Sequence, residues 1–219
     1  MLESENIRLS IYDDILNEID KRKDENRAFI LGINGIDGSG KTEFSLSFEK
    51  YLLSKKRKIQ IIHIDDFCNP KSIRYAGDDL IYNCFHKTFD INLVVRSLLI
   101  PIQRNKELNI ELTLLNTTTD KYDVKRKFII NKNTIIIFEG VYVFRDEFIS
   151  YLDYKIFLDI SIKECRKRIE KRDGEETVEK LNNKYLPAQS KYIEEVSPSE
   201  VADLVIDNSN WNLPKIRQK

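Results

Sequence analysis

The 219-residue chain has no formal net charge, because 36 Lys and Arg residues balance 36 Asp and Glu residues. This balance gives no support to bulk electrostatic binding of nucleic acid or of an anionic membrane surface. The N-terminus has no apolar core of signal-peptide length and no run reaches the roughly 18 apolar residues of a membrane span, so we expect a cytoplasmic protein that binds neither nucleic acid nor membranes.

The first predicted element is an amphipathic helix within residues 1–26. Ile7, Ile11, Ile15 and Ile19 recur every four residues between charged side chains, which is the apolar stripe of a helix that packs on a core. We expect this helix to contribute packing rather than chemistry.

Short apolar runs farther along predict the strands of a parallel sheet, and stretches with helical periodicity separate several of them. The predicted strands are residues 27–33, 58–64, 134–140, 154–160 and 202–207. Helices are predicted at residues 91–102 with a stop near Pro101, at 163–173, and at 178–196 with a break near Pro187. Residues 110–130 alternate as in a hairpin or another extended excursion. Strands alternating with helices indicate one α/β domain over residues 1–219, built on a five-stranded parallel sheet.

A glycine-rich loop follows the first predicted strand and satisfies the pattern G-x-x-x-x-G-K-[ST]. Glycines let backbone N–H groups approach phosphate oxygens, and the N-terminus of the following helix adds positive potential. Lys41 is expected to reach the β and γ phosphates, and the Thr42 hydroxyl to coordinate Mg²⁺. The predicted ATP-binding residues are Gly35, Ile36, Asp37, Gly38, Ser39, Gly40, Lys41 and Thr42.

Phosphate loops occur in GTPases, transporter ATPases, motor proteins and small-molecule kinases, so other segments have to decide the class. The nearest match to the guanine-reading N-K-x-D sequence is NKNT at residues 131–134, which ends in threonine. No L-S-G-G-Q stretch is present, and the third predicted strand ends in Glu139 and Gly140 rather than in the Asp-Glu pair of many mechanical ATPases. These observations favour a kinase.

Two acids at a strand end predict the acceptor side of a kinase site. A kinase that phosphorylates a hydroxyl group needs a carboxylate to accept the hydroxyl proton, and the strand ends of an open α/β sheet face the ligand. Asp65 and Asp66 lie at such an end. Arg74 keeps a phosphate-bearing acceptor open, and capping of a helix or turn is the alternative role for either aspartate.

Other charged residues can complete the site. Glu139 closes a predicted strand, where it can hold a water of the Mg²⁺ shell or a substrate hydroxyl, and a strand-end acid without a role in the site is the alternative. Thr42 and Glu139 are the predicted metal site. Arg168 and Arg172 are four residues apart on one face of a basic helix, where both can stabilise the transferring phosphoryl group; a solvated helix surface is the alternative. Trp211 either lines an adenine slot or covers the core.

The chain resembles the uridine kinase and phosphoribulokinase family of P-loop kinases, particularly its compact bacterial uridine kinase-like members. The resemblance runs from about residue 28 to residue 214 and depends on GIDGSGKT, HIDDFCNPKSIRY, IIIFEGVYVF and YKIFLDISIKECRKRIEKRD in combination. It implies a three-layer P-loop fold, ATP as donor, Mg²⁺ and a mobile helical lid within residues 173–190. It also implies that Asp65 is the base and that Arg168 and Arg172 close on the phosphates.

These arguments give catalytic roles to Lys41, Asp65, Arg168 and Arg172, and acceptor contacts to Asp66, Phe67, Arg74 and Tyr75. Two departures leave the acceptor open. Cys68 stands where better-characterised uridine kinases have a tyrosine that helps to read the pyrimidine, and Phe85 stands in place of an acid of their FDHPDAFD segment. Uridine or cytidine is the first expectation. The alternatives are another hydroxyl metabolite such as a sugar or a pantothenate-like compound, a nucleoside monophosphate, and a nucleotide-binding regulator without transfer activity.

Overall fold

A six-stranded sheet runs through the centre of the computed structural model, which describes residues 2–104 and 107–217. The strands in chain order are β1 (Phe29–Asn34), β2 (Lys58–His63), β3 (Leu108–Asn116), β4 (Lys121–Ile130), β5 (Thr134–Gly140), β6 (Tyr154–Asp159), β7 (Leu204–Asp207) and β8 (Lys215–Arg217). The central order is β2-β5-β1-β6-β7-β8, and the first five of these strands are parallel. The expected five-stranded parallel core is therefore confirmed. β8 adds an antiparallel edge, because the chain turns back after β7 and pairs with it.

Helices connect most of these strands. In chain order they are α1 (Leu2–Arg22), α2 (Lys41–Ser54), α3 (Lys71–Arg74), α4 (Leu80–His86), α5 (Ile91–Val94), α6 (Ile100–Gln103), α7 (Asp146–Ile149), α8 (Ile162–Asp173), α9 (Glu175–Lys180), α10 (Leu186–Val196) and α11 (Pro198–Val201). Within the described ranges, none of them is long and apolar enough to cross a membrane.

Apolar clusters cover both faces of the sheet and produce the three layers. On one face, Ile15 and Ile19 of α1 and Phe48 of α2 are buried in a cluster with β1, β5 and β6. On the other face, the cluster includes Leu98 from the helical turn Val95–Leu99 and Phe128 from β4. The central strands β1 and β5 are buried along their whole length, which is why their sequences are nearly continuous apolar runs.

Pro101 and Pro187 lie inside helical segments rather than ending them. A π turn precedes each proline: Val95–Leu99 runs into α6, and Leu181–Tyr185 runs into α10. Proline has no N–H group to donate to the preceding turn, and a widened turn accommodates that loss. The predicted stop near Pro101 therefore moves to Gln103, and the predicted break near Pro187 is a π turn in a continuing helix.

Strands β3 and β4 form a separate antiparallel pair, as the alternation at residues 110–130 predicts. The hairpin packs beside the end of β2 rather than joining the central sheet. The five parallel strands all point the same way, so their carboxyl ends meet at one edge: Asn34, His63, Gly140, Asp159 and Asp207. This edge is where a ligand binds in an open α/β sheet.

Candidate active site

The loop between β1 and α2 carries the predicted phosphate-binding residues. Gly38 and Gly40 have φ angles of 69° and 89°, a left-handed conformation that residues with a Cβ rarely adopt. Position 40 also lacks space, because an added Cβ would lie 2.8 Å from Cζ3 of Trp211. Both backbone geometry and packing therefore require glycine at position 40.

Two side chains from other elements hold the outer side of this loop. Arg168 of α8 donates from Nη1 to the Gly38 carbonyl at 3.1 Å, and Asn208 donates from Nδ2 to the Ser39 carbonyl at 2.7 Å. These bonds occupy carbonyl oxygens that would otherwise repel a phosphate. The Ser39 hydroxyl is buried and has no hydrogen bond to any described residue.

The predicted lid segment touches the loop as well. The Asp37 amide donates to Oε1 of Gln189 at 2.9 Å, and Gln189 donates from Nε2 to Oδ2 of Asp37 at 2.7 Å. Gln189 belongs to α10 and to the predicted lid at residues 173–190. Any movement of this segment would therefore have to exchange two hydrogen bonds at the nucleotide loop.

Lys41 and Thr42 begin α2 at the floor of the site. Lys41 is buried and donates from Nζ to the Ile36 carbonyl at 3.1 Å. Thr42 donates from Oγ1 to Oε1 of Glu139 at 3.0 Å, and Nδ1 of His63 lies 2.5 Å from the same oxygen. The hydrogen bond with Glu139 raises the pKa of His63 and outweighs the opposing effect of its partial burial.

The Thr42 and Glu139 oxygens converge at the end of β5 and fit a magnesium ion. Within the described residues, no cluster of three or more His, Cys, Asp and Glu side chains is placed to hold a metal alone. Mg²⁺ is commonly held by one or two carboxylates together with water and substrate phosphates. A hydroxyl and a buried carboxylate beside a phosphate loop form such a partial set, which the phosphates of a nucleotide would complete.

Asp65 lies in the 3₁₀ turn Ile64–Phe67 that follows β2, and it lines the same cleft as Lys41. Its side chain is exposed to the cleft, while protein atoms surround its other sides. This partial desolvation raises the pKa of Asp65 to about 6. The Lys41 charge acts in the opposite direction, and the negative Glu139 and Asp37 side chains add to the rise. A carboxyl group with this pKa is suited to accept a proton near neutral pH.

An open cleft of about 540 Å³ is lined by the phosphate loop, Lys41, Thr42 and Asp65. Arg168 and Arg172 of α8 lie along one side, and Trp211 also lines it. Arg168 also donates from Nη2 to the Ser209 carbonyl at 2.9 Å, so its guanidinium holds the loop and the chain after β7 together. Arg172 is largely exposed and pairs with Asp173 at 2.7 Å. The structure thus brings all four predicted catalytic residues to one cleft.

The sequence profile of the phosphoribulokinase/uridine kinase family matches residues 30–213. The chain belongs to this family. The match includes the phosphate loop, Asp65, Glu139 and α8, and it begins after α1. No curated protein matches the chain.

Solved structures show the fold of this kinase family. A protein described as a possible uridine kinase from Bacillus stearothermophilus superposes with a TM-score of 0.72 at 23% identity, covering 90% of this chain and 98% of that one. D-glycerate 3-kinase from Cryptococcus neoformans var. grubii gives a TM-score of 0.59 at 11% identity, covering 83% of this chain and 86% of that one. At these identities the superpositions show a shared fold and do not identify the acceptor of this phosphoribulokinase/uridine kinase family member.

The first two predicted acceptor residues differ in their surroundings. Asp66 is half-buried and pairs with Arg126 of β4, with 3.3 Å between Oδ2 and Nε. Phe67 is buried in the core, where its ring packs 6.1 Å from that of Phe128. Neither of these two side chains lines the cleft described above: Asp66 pairs with the hairpin, and Phe67 supports the turn from the core.

The other two lie where the predicted lid meets the segment after β2. The Tyr75 ring is exposed, and the Lys184 ammonium lies 4.4 Å from its centre. The Arg74 side chain is only 15% exposed, and its nearest carboxylate contact is Asp120 at 3.9 Å. Nε of Arg74 is buried without a hydrogen bond to any described residue. Arg74 is thus a partly buried cation whose Nε atom is enclosed and whose ion pair with Asp120 is long.

Three residues of this family member enter the site without a role predicted from sequence. Asn208 directly follows β7, the same strand-end signal that identified Asp65, so it could have been found. His63 ends β2 and contacts Glu139, a pairing that depends on the β2-β5 register. Gln189 reaches Asp37 across 152 positions of sequence, and no local pattern indicates that contact.

Proposed function

We propose that this kinase transfers the γ-phosphoryl group of ATP to a hydroxyl group of a small molecule. The observation that carries the proposal is the position of Asp65, which lines the same cleft as Lys41 and the phosphate loop and has a pKa raised to about 6. An acceptor hydroxyl that attacks a phosphoryl group needs a group to take its proton, and Asp65 lies where such a hydroxyl would face the phosphate loop.

Each residue then has a defined task. Asp65 orients the acceptor hydroxyl and takes its proton as the acceptor oxygen bonds to the γ-phosphorus, while the bond to the β–γ bridging oxygen breaks and ADP leaves. Lys41 neutralises the β and γ phosphates, and Arg172 shields the transferring group from the open side of the cleft. Thr42 and Glu139 would hold Mg²⁺, which supplies charge neutralisation at the phosphates.

Arg168 has a different task from the one its spacing suggests. Its guanidinium is bonded to the Gly38, Asn208 and Ser209 carbonyls, so we assign it to holding the loop in its phosphate-binding shape. Closure of residues 173–190 over the cleft would exclude water and suppress hydrolysis.

A pyrimidine nucleoside is the first acceptor we propose, since the matched family includes uridine kinases. A second candidate is a hydroxyl compound that carries a negative group, such as a nucleoside monophosphate or a sugar phosphate. Arg74 favours it, because a partly buried guanidinium whose Nε has no partner among the described residues is stabilised by an anion. Lys184 approaches the same segment through Tyr75 and adds positive charge there.

One experiment tests the proposal. The protein is incubated with Mg·ATP and, in turn, uridine, cytidine, their monophosphates, sugars, sugar phosphates and pantothenate, and phosphorylated product is quantified against ADP. Product formed in equal amount to ADP with one acceptor is the expected result. ADP formed equally with and without every acceptor would contradict a kinase. ATP binding without any turnover would favour the nucleotide-binding regulator.

A further inference from the structure

A second cavity, of about 530 Å³, lies between α1 and α2 and is separate from the cleft floor. Helix α1 contributes Arg8 and Tyr12 to its lining, helix α2 contributes Ser47 and Lys50, and the chain after β7 contributes Trp211. The family match begins at residue 30, so the wall formed by α1 lies outside the part of the chain that the family accounts for. Trp211 lines both this cavity and the nucleotide cleft. None of the residues to which we assign a role in phosphoryl transfer lines this cavity.

The lining has the chemistry of a site for an anion with an aromatic ring. Arg8 and Lys50 supply two positive charges against the single carboxylate of Glu5. Lys50 forms no ion pair with any residue in the described ranges, so its charge is available to a ligand. The rings of Tyr51 and Trp211 add flat apolar surface. A sulfonate, carboxylate or phosphate attached to a planar ring would satisfy both features.

Tyr12 adds an unused hydrogen-bonding group to this cavity. Tyr12 is 3% exposed. Its hydroxyl forms no hydrogen bond of ordinary geometry with a described residue, although the Ser47 hydroxyl lies nearby. Packing against Phe44 and Phe48, at ring distances of 5.3 and 5.1 Å, keeps the tyrosine in place. Buried hydroxyl groups are rarely left unpaired; this hydroxyl is enclosed, so a ligand oxygen would reach it only after a shift of the Ser47 side chain beside it.

Trp211 joins this cavity to the nucleotide cleft. It lines both spaces, and its edge packs so closely on the phosphate loop that a Cβ at Gly40 would lie 2.8 Å from it. On its other side, the Arg8 guanidinium lies 4.4 Å from the ring centre and donates to the Trp211 carbonyl at 2.5 Å. A ligand beside Arg8 would therefore contact the same ring that lines the cleft on its other side.

We propose that the cavity between α1 and α2 is an effector site for a small aromatic anion, and that its occupant strengthens nucleotide binding by restraining Trp211. A restrained wall loses less freedom when the second ligand binds, so the two ligands favour each other. The coupling is reciprocal, because linkage requires each ligand to change the affinity of the other by the same factor.

The test uses 8-anilinonaphthalene-1-sulfonate as the probe and measures equilibrium binding by fluorescence and calorimetry, with Mg·ADP at saturation to fill the cleft. Ser47→Phe fills the cavity from α2, and Ser47→Ala is its matched control. We expect Ser47→Phe to weaken probe binding about tenfold or more and Ser47→Ala to change it by less than about twofold. We expect Lys50→Gln to weaken it about two- to fivefold, the range for one exposed charge pair, and Lys127→Gln on the hairpin to leave it unchanged.

Calorimetry of Mg·ADP with and without the probe measures the coupling, and we expect the probe to tighten ADP binding about twofold or more. Displacement of the probe by ADP, equal probe affinity in the two Ser47 variants, or no binding at all would overturn the site, and unchanged ADP affinity would overturn the coupling. If Ser47→Phe fails to fold, the comparison of Lys50→Gln with Lys127→Gln decides. No step requires turnover, so failure of the kinase proposal would leave this result readable.

Discussion

Asp65 and Asp66 are neighbours in sequence, yet their surroundings differ. Asp65 lines the cleft with a raised pKa, whereas Asp66 pairs with Arg126 on the hairpin. We expect Asp65→Asn to lower kcat by about 10²-fold or more, because the amide cannot accept the acceptor's proton. Binding of ATP should change little, since in the proposed site Lys41 and the loop, and not Asp65, hold the phosphates.

The matched control for this substitution is Asp66→Asn, which should raise the KM for the acceptor while leaving kcat within about threefold. Steady-state kinetics measure both variants. ATP binding is followed separately through the fluorescence of Trp211, which lines the cleft and is the chain's one tryptophan. Near-normal turnover in Asp65→Asn would remove Asp65 from the role of base.

The raised pKa of Asp65 also predicts a pH dependence. In the proposed reaction the carboxylate form is the base, and a pKa of about 6 means that protonation removes this base as the pH falls through 6. We expect kcat/KM for the acceptor to rise with pH and to reach half its plateau near pH 6, with the same limb missing in Asp65→Asn. Initial rates between pH 5 and 9 measure it. A half-maximal point near pH 4, the value of an ordinary aspartate, would contradict the assigned environment.

At the scale of elements, α1 does more than the packing that its isoleucine stripe predicts. Arg8 stacks on Trp211 at 4.4 Å and thereby fixes a wall of the nucleotide cleft. We expect Arg8→Gln to raise the KM for ATP about two- to fivefold with kcat unchanged, the size of one partly exposed cation–π contact. Kinetics at varied ATP and fixed acceptor provide the measurement.

Arg22 of the same helix offers a matched control for Arg8. Its guanidinium lies 4.7 Å from the Tyr154 ring and pairs with Asp203 at 2.9 Å, away from the cleft. Arg22→Gln should therefore lower the melting temperature without changing the KM for ATP. An equal rise in KM in both variants would show that α1 acts through general stability, and not through Trp211.

Sequence periodicity predicts the elements well where packing follows the chain locally. The buried strands β1 and β5, the α1 stripe and the β3–β4 hairpin are visible because one repeating environment acts on consecutive residues. The π turns before Pro101 and Pro187 could not be predicted. A proline removes one helical hydrogen bond, but the sequence does not show whether the helix ends there or continues through a widened turn. Strand β8 is too short and too exposed to leave a pattern.

At the scale of the whole molecule, parallel topology assembles a site from distant segments. The positions of Asp65 and Glu139 at one edge of the sheet could be predicted, because acids at the carboxyl ends of parallel strands lie at the same edge. The bonds from Arg168 and Asn208 to the phosphate loop could not, because they depend on how α8 and the chain after β7 fold back. The family resemblance predicts that Arg168 lies near the phosphates. Its hydrogen bonds to backbone carbonyls favour the role of holding the loop over the role of shielding a phosphate.

Asp203 shows how α1 is attached to this framework at the edge opposite the site. It accepts hydrogen bonds from the Lys155 amide at 2.9 Å, from Nζ of Lys155 at 2.8 Å and from Nη1 of Arg22 at 2.9 Å. Burial favours the protonated acid, but the bonds from Lys155 and Arg22 outweigh this effect and hold the pKa of Asp203 below its usual value. Asp203 therefore links β6, the start of β7 and α1 through its charged form.

The pKa of Asp203 is lower in the folded state than in the unfolded chain, so its charged form stabilises the fold. This stabilisation is fully present above the unfolded pKa, near 3.9, and is lost as the pH falls through the folded pKa. We expect Asp203→Asn to reduce the free energy of unfolding by about 1–3 kcal/mol at pH 7, and the difference from the wild-type protein to shrink below about pH 4. Urea unfolding at a series of pH values measures the difference. Asp123→Asn, an exposed change on the hairpin, is the control and should be neutral at every pH. If the difference in unfolding free energy between Asp203→Asn and the wild-type protein stays constant down to pH 3, the charge of Asp203 does not stabilise the contact between α1 and the sheet.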